Sequence, residues 1–454
     1  MSNSITATGA VHRAPRLLFS SLVRRITRHW SPPRVMAIDV ARAVAIIGMI
    51  GAHVGAYDTF EASEPSTWGA LVHGRSSILF AVVAGISLAF VTARARDASP
   101  DELRVIRLRL VGRGAAVFIV GVTLESVGAP IVVILTVYGL LFIAVIPFIT
   151  WSRRRLLIAA GVLAIVCPPV LAMVKPVGGA SGPGAMLSLF GTYPLTEWLA
   201  LMLVGMAIGR SRLDLRRTAA TLVIVGAVLA GVGYGVGSLL HSGDASSSAS
   251  SSSPSSSSPS SSSSEPVPAS SLDFTGSLCT RAYSWTTCGP ADEVVKARDG
   301  EGTWGSLDPA TLATSARGAL LDASPHSGGT AEIVGSGGVA LIVIGIFLLV
   351  TRPLRWLLWP LAALGSCTVT AYALHGLFML VNSEVGGLTG AGLAPGNTYW
   401  ALLAGGLLVA MSVWSVAFGR GPLERFVGWV ADRMAVVVRA PRDGEAQGQP
   451  SRAS

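Results

Sequence analysis

The sequence predicts an all-α fold: a polytopic transmembrane helix bundle of about ten helices, with both termini cytoplasmic. Three observations carry that prediction. Hydrophobic residues make up 51% of the 454 positions and charged residues only 13%, where soluble domains carry roughly 25% charge. Apolar segments of bilayer-spanning length recur along the chain. Arginines fall in every second connection, and positively charged short loops are retained in the cytoplasm.

In chain order, residues 1–33 form a basic N-terminal segment. Within it 15–30 read as an amphipathic helix on the inner leaflet, because the apolar core is too short for a signal peptide and no small-residue cleavage site follows. Residues 34–240 hold seven predicted spans, near 36–57, 70–93, 107–126, 128–150, 155–174, 195–210 and 217–240. Residues 332–418 hold three more, near 332–351, 355–381 and 398–418, and 419–454 read as a cytoplasmic tail. Arg94, Arg96 and Arg104, Arg153 to Arg155, Arg210 to Arg217, and Arg352 with Arg355 mark inside connections. Glu61 and Glu64, Glu125 and Glu384 mark outside ones. The net charge of +9 is therefore explained by topology. No contiguous basic domain with stacking aromatics exists, so the expected partner is the lipid bilayer and not nucleic acid.

Residues 241–331 interrupt the bundle on the outer side. The serine-rich stretch 242–270 is too polar to bury a core and reads as a tether. The loop beyond it, 271–331, is expected to carry no catalysis. Its Cys279 and Cys288 are candidates for a disulfide, while Cys167 and Cys367 lie in apolar spans and read as inert. Zinc-ligand spacing is absent, and no metal is expected.

The first span concentrates the chemistry. Asp39, Arg42 and His53 share one stripe: the step from Arg42 to His53 is ~20° past whole turns, and the rise is ~16 Å. Ionisable groups at such depth are costly and face a bundle interior or a wet cavity. Asp39 and Arg42, three residues apart, also suit an ion pair. His73 and Arg75 open the second span at the level where His53 closes the first, which implies a polar pocket that Glu125 and His375 could join. At the opposite surface, Arg107, Arg109 and Arg113 lead the third span into the membrane, and guanidinium groups match phosphates bidentately. The same arginines also serve as simple inside anchors. Gly51, Gly55, Gly85, Gly112 and Gly114 read as helix-contact glycines and not as phosphate loops.

These residues carry a likeness. Arg42 ahead of His53 resembles the first helix of membrane-bound acyltransferases that acylate sugars and lipids. His73 to Leu88 is similar to the second helix of bacterial proteins grouped with the heparan-alpha-glucosaminide N-acetyltransferase catalytic domain. Leu364 to Tyr372 and Gly421-Pro-Leu-Glu424 resemble closing segments of related bacterial membrane proteins. The likeness covers about 34–240 and 332–430.

The resemblance implies an integral, cell-membrane acyltransferase. Acyl-CoA, as acetyl-CoA, would dock from the cytoplasm on Arg107, Arg109 and Arg113, and a sugar or lipid acceptor would receive the acyl group outside. By that analogy His53 would be base or transient acyl carrier and Arg42 would orient the donor. Asp39, paired with Arg42, and His73 join them as candidate catalytic residues, and Arg75 beside His73 is placed to stabilise the oxyanion. In the lysosomal enzyme the catalytic histidine belongs to the first outer loop, whereas Tyr57 to Trp68 here contain none. Two other classes compete. A small-molecule or lipid transporter would use the same charged cavity as a path, but no inverted repeat or matched pair of broken helices supports it. A scaffold displaying the 271–331 loop would leave His53 without a role.

Overall fold

The computed structural model describes residues 26–27, 35–55, 61, 63–64, 67, 69–70, 72–175, 183–247, 277–282, 285–290, 309–389 and 392–436. The amphipathic segment 15–30 lies outside them except for Ile26 and Thr27, as do most of the serine tether and the tail beyond Val436.

The described chain is helical apart from one hairpin. Its helices are α1 (Met36–Val54), α2 (Arg75–Val91), α3 (Pro100–Ser126), α4 (Leu135–Ala144), α5 (Arg153–Val174), α6 (Leu195–Gly209) and α7 (Arg216–Ser247). After strands β1 (Ser277–Ala282) and β2 (Trp285–Pro290) come α8 (Pro309–Leu321), α9 (Thr330–Val350), α10 (Trp359–Ser366), α11 (Thr368–Thr389), α12 (Asn397–Ala417) and α13 (Pro422–Val436). The antiparallel register sets Cys279 opposite Cys288; whether a disulfide joins them lies outside the described side chains.

Each of the ten predicted spans contains a helix, yet the count of spans changes. Among the described residues, α1, α5, α7, α9 and α12 can cross a membrane alone by length and composition, and the α10–α11 pair makes a sixth if its two helices count as one span. That pair bends by 84°. The reasons are local. Helices α2, α4 and α6 are apolar but too short, and α3 carries arginines through its first half. Pro147, in the 3-10 turn Ile146–Phe148, follows the end of α4.

Local chemistry sets several boundaries. Ser99 and Glu102 form a reciprocal cap at the start of α3, with Glu102 Oε2 accepting the Ser99 N–H at 2.8 Å and Pro100 at the first helical position, the arrangement that satisfies two orphan donors at once. Ser152 caps α5 through the Arg155 N–H. Between α10 and α11 the chain breaks at Cys367. The carboxylate of Glu424 there accepts the backbone N–H groups of Val369 (2.6 Å) and Thr370 (3.2 Å), capping α11. The two late motifs of the sequence therefore meet in space.

Helix α1 is central, with α2, α9, α10, α11 and α12 all packed against it. Glycines make this possible. Gly365 of α10 lies on the α1 backbone at Asp39 and Ala43, and Gly51 of α1 receives the Trp400 ring of α12, whose Nε1 donates to the Ile47 carbonyl at 2.8 Å. Gly85 and Gly205 let α2 and α6 cross backbone to backbone. The outer helices show lipid-type faces: Ile158, Val162 and Ile165 on α5, Ile224 and Val228 on α7, and Val409 and Val413 on α12 are exposed. A bundle sorted this way buries helices that are apolar all round and leaves apolar side chains towards hydrocarbon.

A side chain at the α2–α6 crossing has no room. Gly205→Val is expected to destabilise the purified protein by about 3 kcal/mol, read as a fall in its thermal midpoint in detergent. An unchanged midpoint would show that the two helices do not meet at that glycine.

Candidate functional site

His53 ends α1 half-buried, and the ring it meets is His375 of α11. The two imidazoles stack with centroids 5.7 Å apart and planes 19° from parallel. His375 is fully enclosed, and the Tyr372 ring lies edge-on to it at 4.8 Å. Its ring nitrogens approach the carbonyls of Tyr372 and Ala371 one turn back, but neither makes a hydrogen bond of ordinary geometry. The Tyr372 hydroxyl is itself held, accepting the Ile134 N–H at 3.1 Å and donating to the Val132 carbonyl. Glu125 accepts from Thr136 on the neighbouring surface and stays exposed.

A second imidazole pair closes the site. His73, in the turn before α2, meets His326 edge to face at 5.6 Å. His326 belongs to the loop between α8 and α9, within the 271–331 segment to which the sequence assigns no chemistry. In the fold that loop lies over the start of α2, with Pro325 filling the space beside Gly74, whose φ is +72°. His53 is within electrostatic reach of His375, His326 and His73. Four segments far apart in sequence thus contribute to one histidine cluster.

His326 is the one non-glycine residue with positive φ among the described residues, at 63°. A β-carbon is disfavoured there and persists where the surroundings over-determine the backbone. Glu332, buried in the first turn of α9, supplies that constraint. It accepts the His326 N–H at 2.6 Å, the Gly328 N–H at 2.9 Å and the Ser327 hydroxyl at 3.2 Å. On the other side of Gly328 stands Glu197 of α6, only 3% exposed, with Oε2 unpartnered. The Tyr193 ring sits 5.8 Å from His326. Burial, followed by the neighbouring His73, lowers the His326 pKa to about 4, so its imidazole is neutral at pH 7.

Arg75 is locked beside this cluster. Its Nε donates to the Tyr234 hydroxyl at 2.7 Å, one nitrogen reaches the Ala70 carbonyl, and the guanidinium lies over the Tyr234 ring. Tyr234 continues to Ser336 of α9 at 2.8 Å.

The other end of α1 faces different neighbours. Arg42 pairs with Asp39 at 2.5 Å and donates to Ser87 of α2, so the ion pair seen in the spacing forms. Arg42 and His53, sharing one helix face ~16 Å apart, contact α2 and α11 respectively. Arg107 is exposed. Arg109 pairs with Asp432 of α13 at 3.3 Å, and Arg113 lies within electrostatic reach of Arg420, Asp432 and Arg109. Three arginines around one aspartate leave this surface positive. Among the described residues no group of three His, Cys, Asp or Glu is placed to hold a metal ion.

The sequence reading missed His326, Tyr193, Glu197, Glu332, Tyr234 and Asp432. Glu197 and Glu332 were the findable ones, each a lone carboxylate opening an apolar segment. His326 carries no local signal, since only the α9 packing brings it to His73. The tail reading of 419–454 likewise passed over α13, although Phe426, Val427, Val430, Ala431 and Met434 recur at helical spacing.

Removing the Glu332 carboxylate strands two buried N–H groups, each worth about 1–3 kcal/mol. Glu332→Ala should therefore speed hydrogen exchange at the His326 and Gly328 amides, and unchanged protection would refute the anchoring role. His326 also sets a pH dependence. Its pKa is about 4 in the folded chain against the ordinary histidine value of 6.5 when unfolded, so the unfolded state binds more protons between those limits and stability falls as pH drops through that window. The thermal midpoint of His326→Asn should fall less than that of the parent chain from pH 7 to 4; equal falls would count against a depressed pKa.

Residues 34–233 match the family model described as heparan-alpha-glucosaminide N-acetyltransferase, catalytic. No curated protein and no solved structure matches the chain. The match takes in α1 to α6 and most of α7, with Asp39, Arg42, His53, His73, Arg75 and Glu197, while His326, Glu332 and His375 come from beyond it. The chain is thus a multi-pass membrane protein whose residues 34–233 are similar to the catalytic domain of a family of membrane acetyltransferases.

Proposed function

We propose that this protein is an acyl-CoA-dependent acetyltransferase of the cell membrane, moving an acetyl group from a cytoplasmic donor to a sugar or lipid acceptor on the outer side. The observation that carries this reading is the stacking of His53 on His375 within a histidine cluster, at the end of α1 remote from Arg42. The family match over α1 to α7 supports the reaction class.

In this reading His53 removes the acceptor proton or carries the acyl group transiently, and its partly open ring at the end of α1 suits either role. His375, enclosed behind it, holds the ring in place. Arg75, immobilised by Tyr234 and Ala70, stands beside His73 as the fixed positive group for the oxyanion that forms when the carbonyl is attacked. A guanidinium already held in place costs no reorganisation at that moment. Arg42, oriented by Asp39 and Ser87, steers the donor into the bundle. Arg107, Arg109 and Arg113 hold donor phosphates at the positive surface beside α13, with Arg420 adding to the same field.

Acetyl transfer from labelled acetyl-CoA is the test, supplied to the cytoplasmic face of inverted vesicles containing the full-length chain. Label should appear in the lipid or sugar fraction, and His53→Ala should reduce it by about 100-fold or more. Transfer at the parent rate by His53→Ala would dismiss the assignment.

A further inference from the structure

His326 has a feature that structural packing alone does not require: an imidazole placed on a strained backbone, next to another histidine, at the surface end of the cluster. Glycine or asparagine would meet the φ of 63° at lower cost. The loop is nevertheless tied down by Glu332 at three points. The His326 Nδ1 is buried without a hydrogen-bond partner. Its flanking residues Ser324, Pro325 and Ser327 are exposed, so the ring stands between the enclosed imidazoles and the solvent.

A reaction divided between two membrane faces separates its protons. An imidazole nitrogen of His53 first attacks the thioester carbonyl: the N–C bond forms, and the C–S bond breaks with its electron pair on sulfur. The thiolate withdraws with the donor and takes a proton from water on that side. The acceptor then attacks the acetyl carbon, the X–C bond forms as the N–C bond breaks, and the X–H proton passes to the imidazoles. The acceptor proton, left at the other end, must be discharged before the cluster can act again.

We propose that His326 is the exit group for that proton, receiving it from the His53 and His73 end of the cluster and releasing it to water above the 322–329 loop. This rests on the acetyl-transfer reading. The groups facing His326 fit the role: His73 and Tyr193 at ring distance, Glu332 on its backbone, Glu197 across Gly328, and Asp322 holding Ser324 by bonds of 2.8 and 2.6 Å. A neutral ring accepts a proton; a ring already charged would not.

The test uses full-length protein in inverted vesicles, with release of free thiol from acetyl-CoA as the readout and His53→Ala as the blank. His326→Asn and His326→Gly both accept the backbone conformation. Each should keep or raise the thermal midpoint while slowing turnover by about 100-fold, and free imidazole should restore part of the loss. Full turnover by both variants beside an inactive His53→Ala would overturn the exit route alone. A loss accompanied by a lower midpoint and no response to imidazole would also overturn it, by making the residue structural. Parent-rate turnover by His53→Ala, or none by the parent chain, would overturn the acetyl-transfer reading on which the route depends.

Discussion

Everything in this molecule is arranged around the enclosure of α1. A helix bearing Asp39, Arg42 and His53 cannot stand in hydrocarbon, because each ionisable group on a lipid-facing surface costs several kcal/mol. It must be surrounded, and the surrounding helices must come close enough to satisfy those groups. Gly365 seats α10 on its first turns, Gly48 receives Ser76 and Val72, and Gly51 receives Trp400. Close approach brings partners: Ser87 to Arg42 and His375 to His53. The small residues are therefore the condition for the polar ones.

The same logic extends to the loops. At the histidine end, side chains bind loop backbone directly: Glu332 takes two N–H groups, and the Tyr372 hydroxyl takes one. At the opposite end Glu424 does the same for α11. Carboxylates at helix N-termini interact favourably with the exposed N–H groups and the macrodipole. Glu424 caps α11, which carries His375, while Glu332, from the first turn of α9, holds the loop that carries His326. A family match ending at residue 233 thus covers only part of the cluster; the rest comes from the loop before α9 and from α11.

Helix α13 adds a complementary element. It packs across α3 where Gly112 admits Ala431, and it brings Asp432 to Arg109. The arginine row of α3 is in this way folded against a second basic segment containing Arg420, which raises the positive field at that surface beyond what α3 alone supplies.

The sequence by itself determined the fold class, the position of the apolar helices and the pairing of Asp39 with Arg42. Periodicity, charge and apolar length are local properties, and local properties are legible along the chain. Only the tertiary structure decided that α2, α4 and α6 are short helices, that the late spans bend at Cys367, and that His326 and His375 join His53 and His73. The physical reason is that a histidine cluster assembled from α1, the turn before α2, the loop before α9 and α11 is a product of helix packing. No spacing between residues so far apart encodes it.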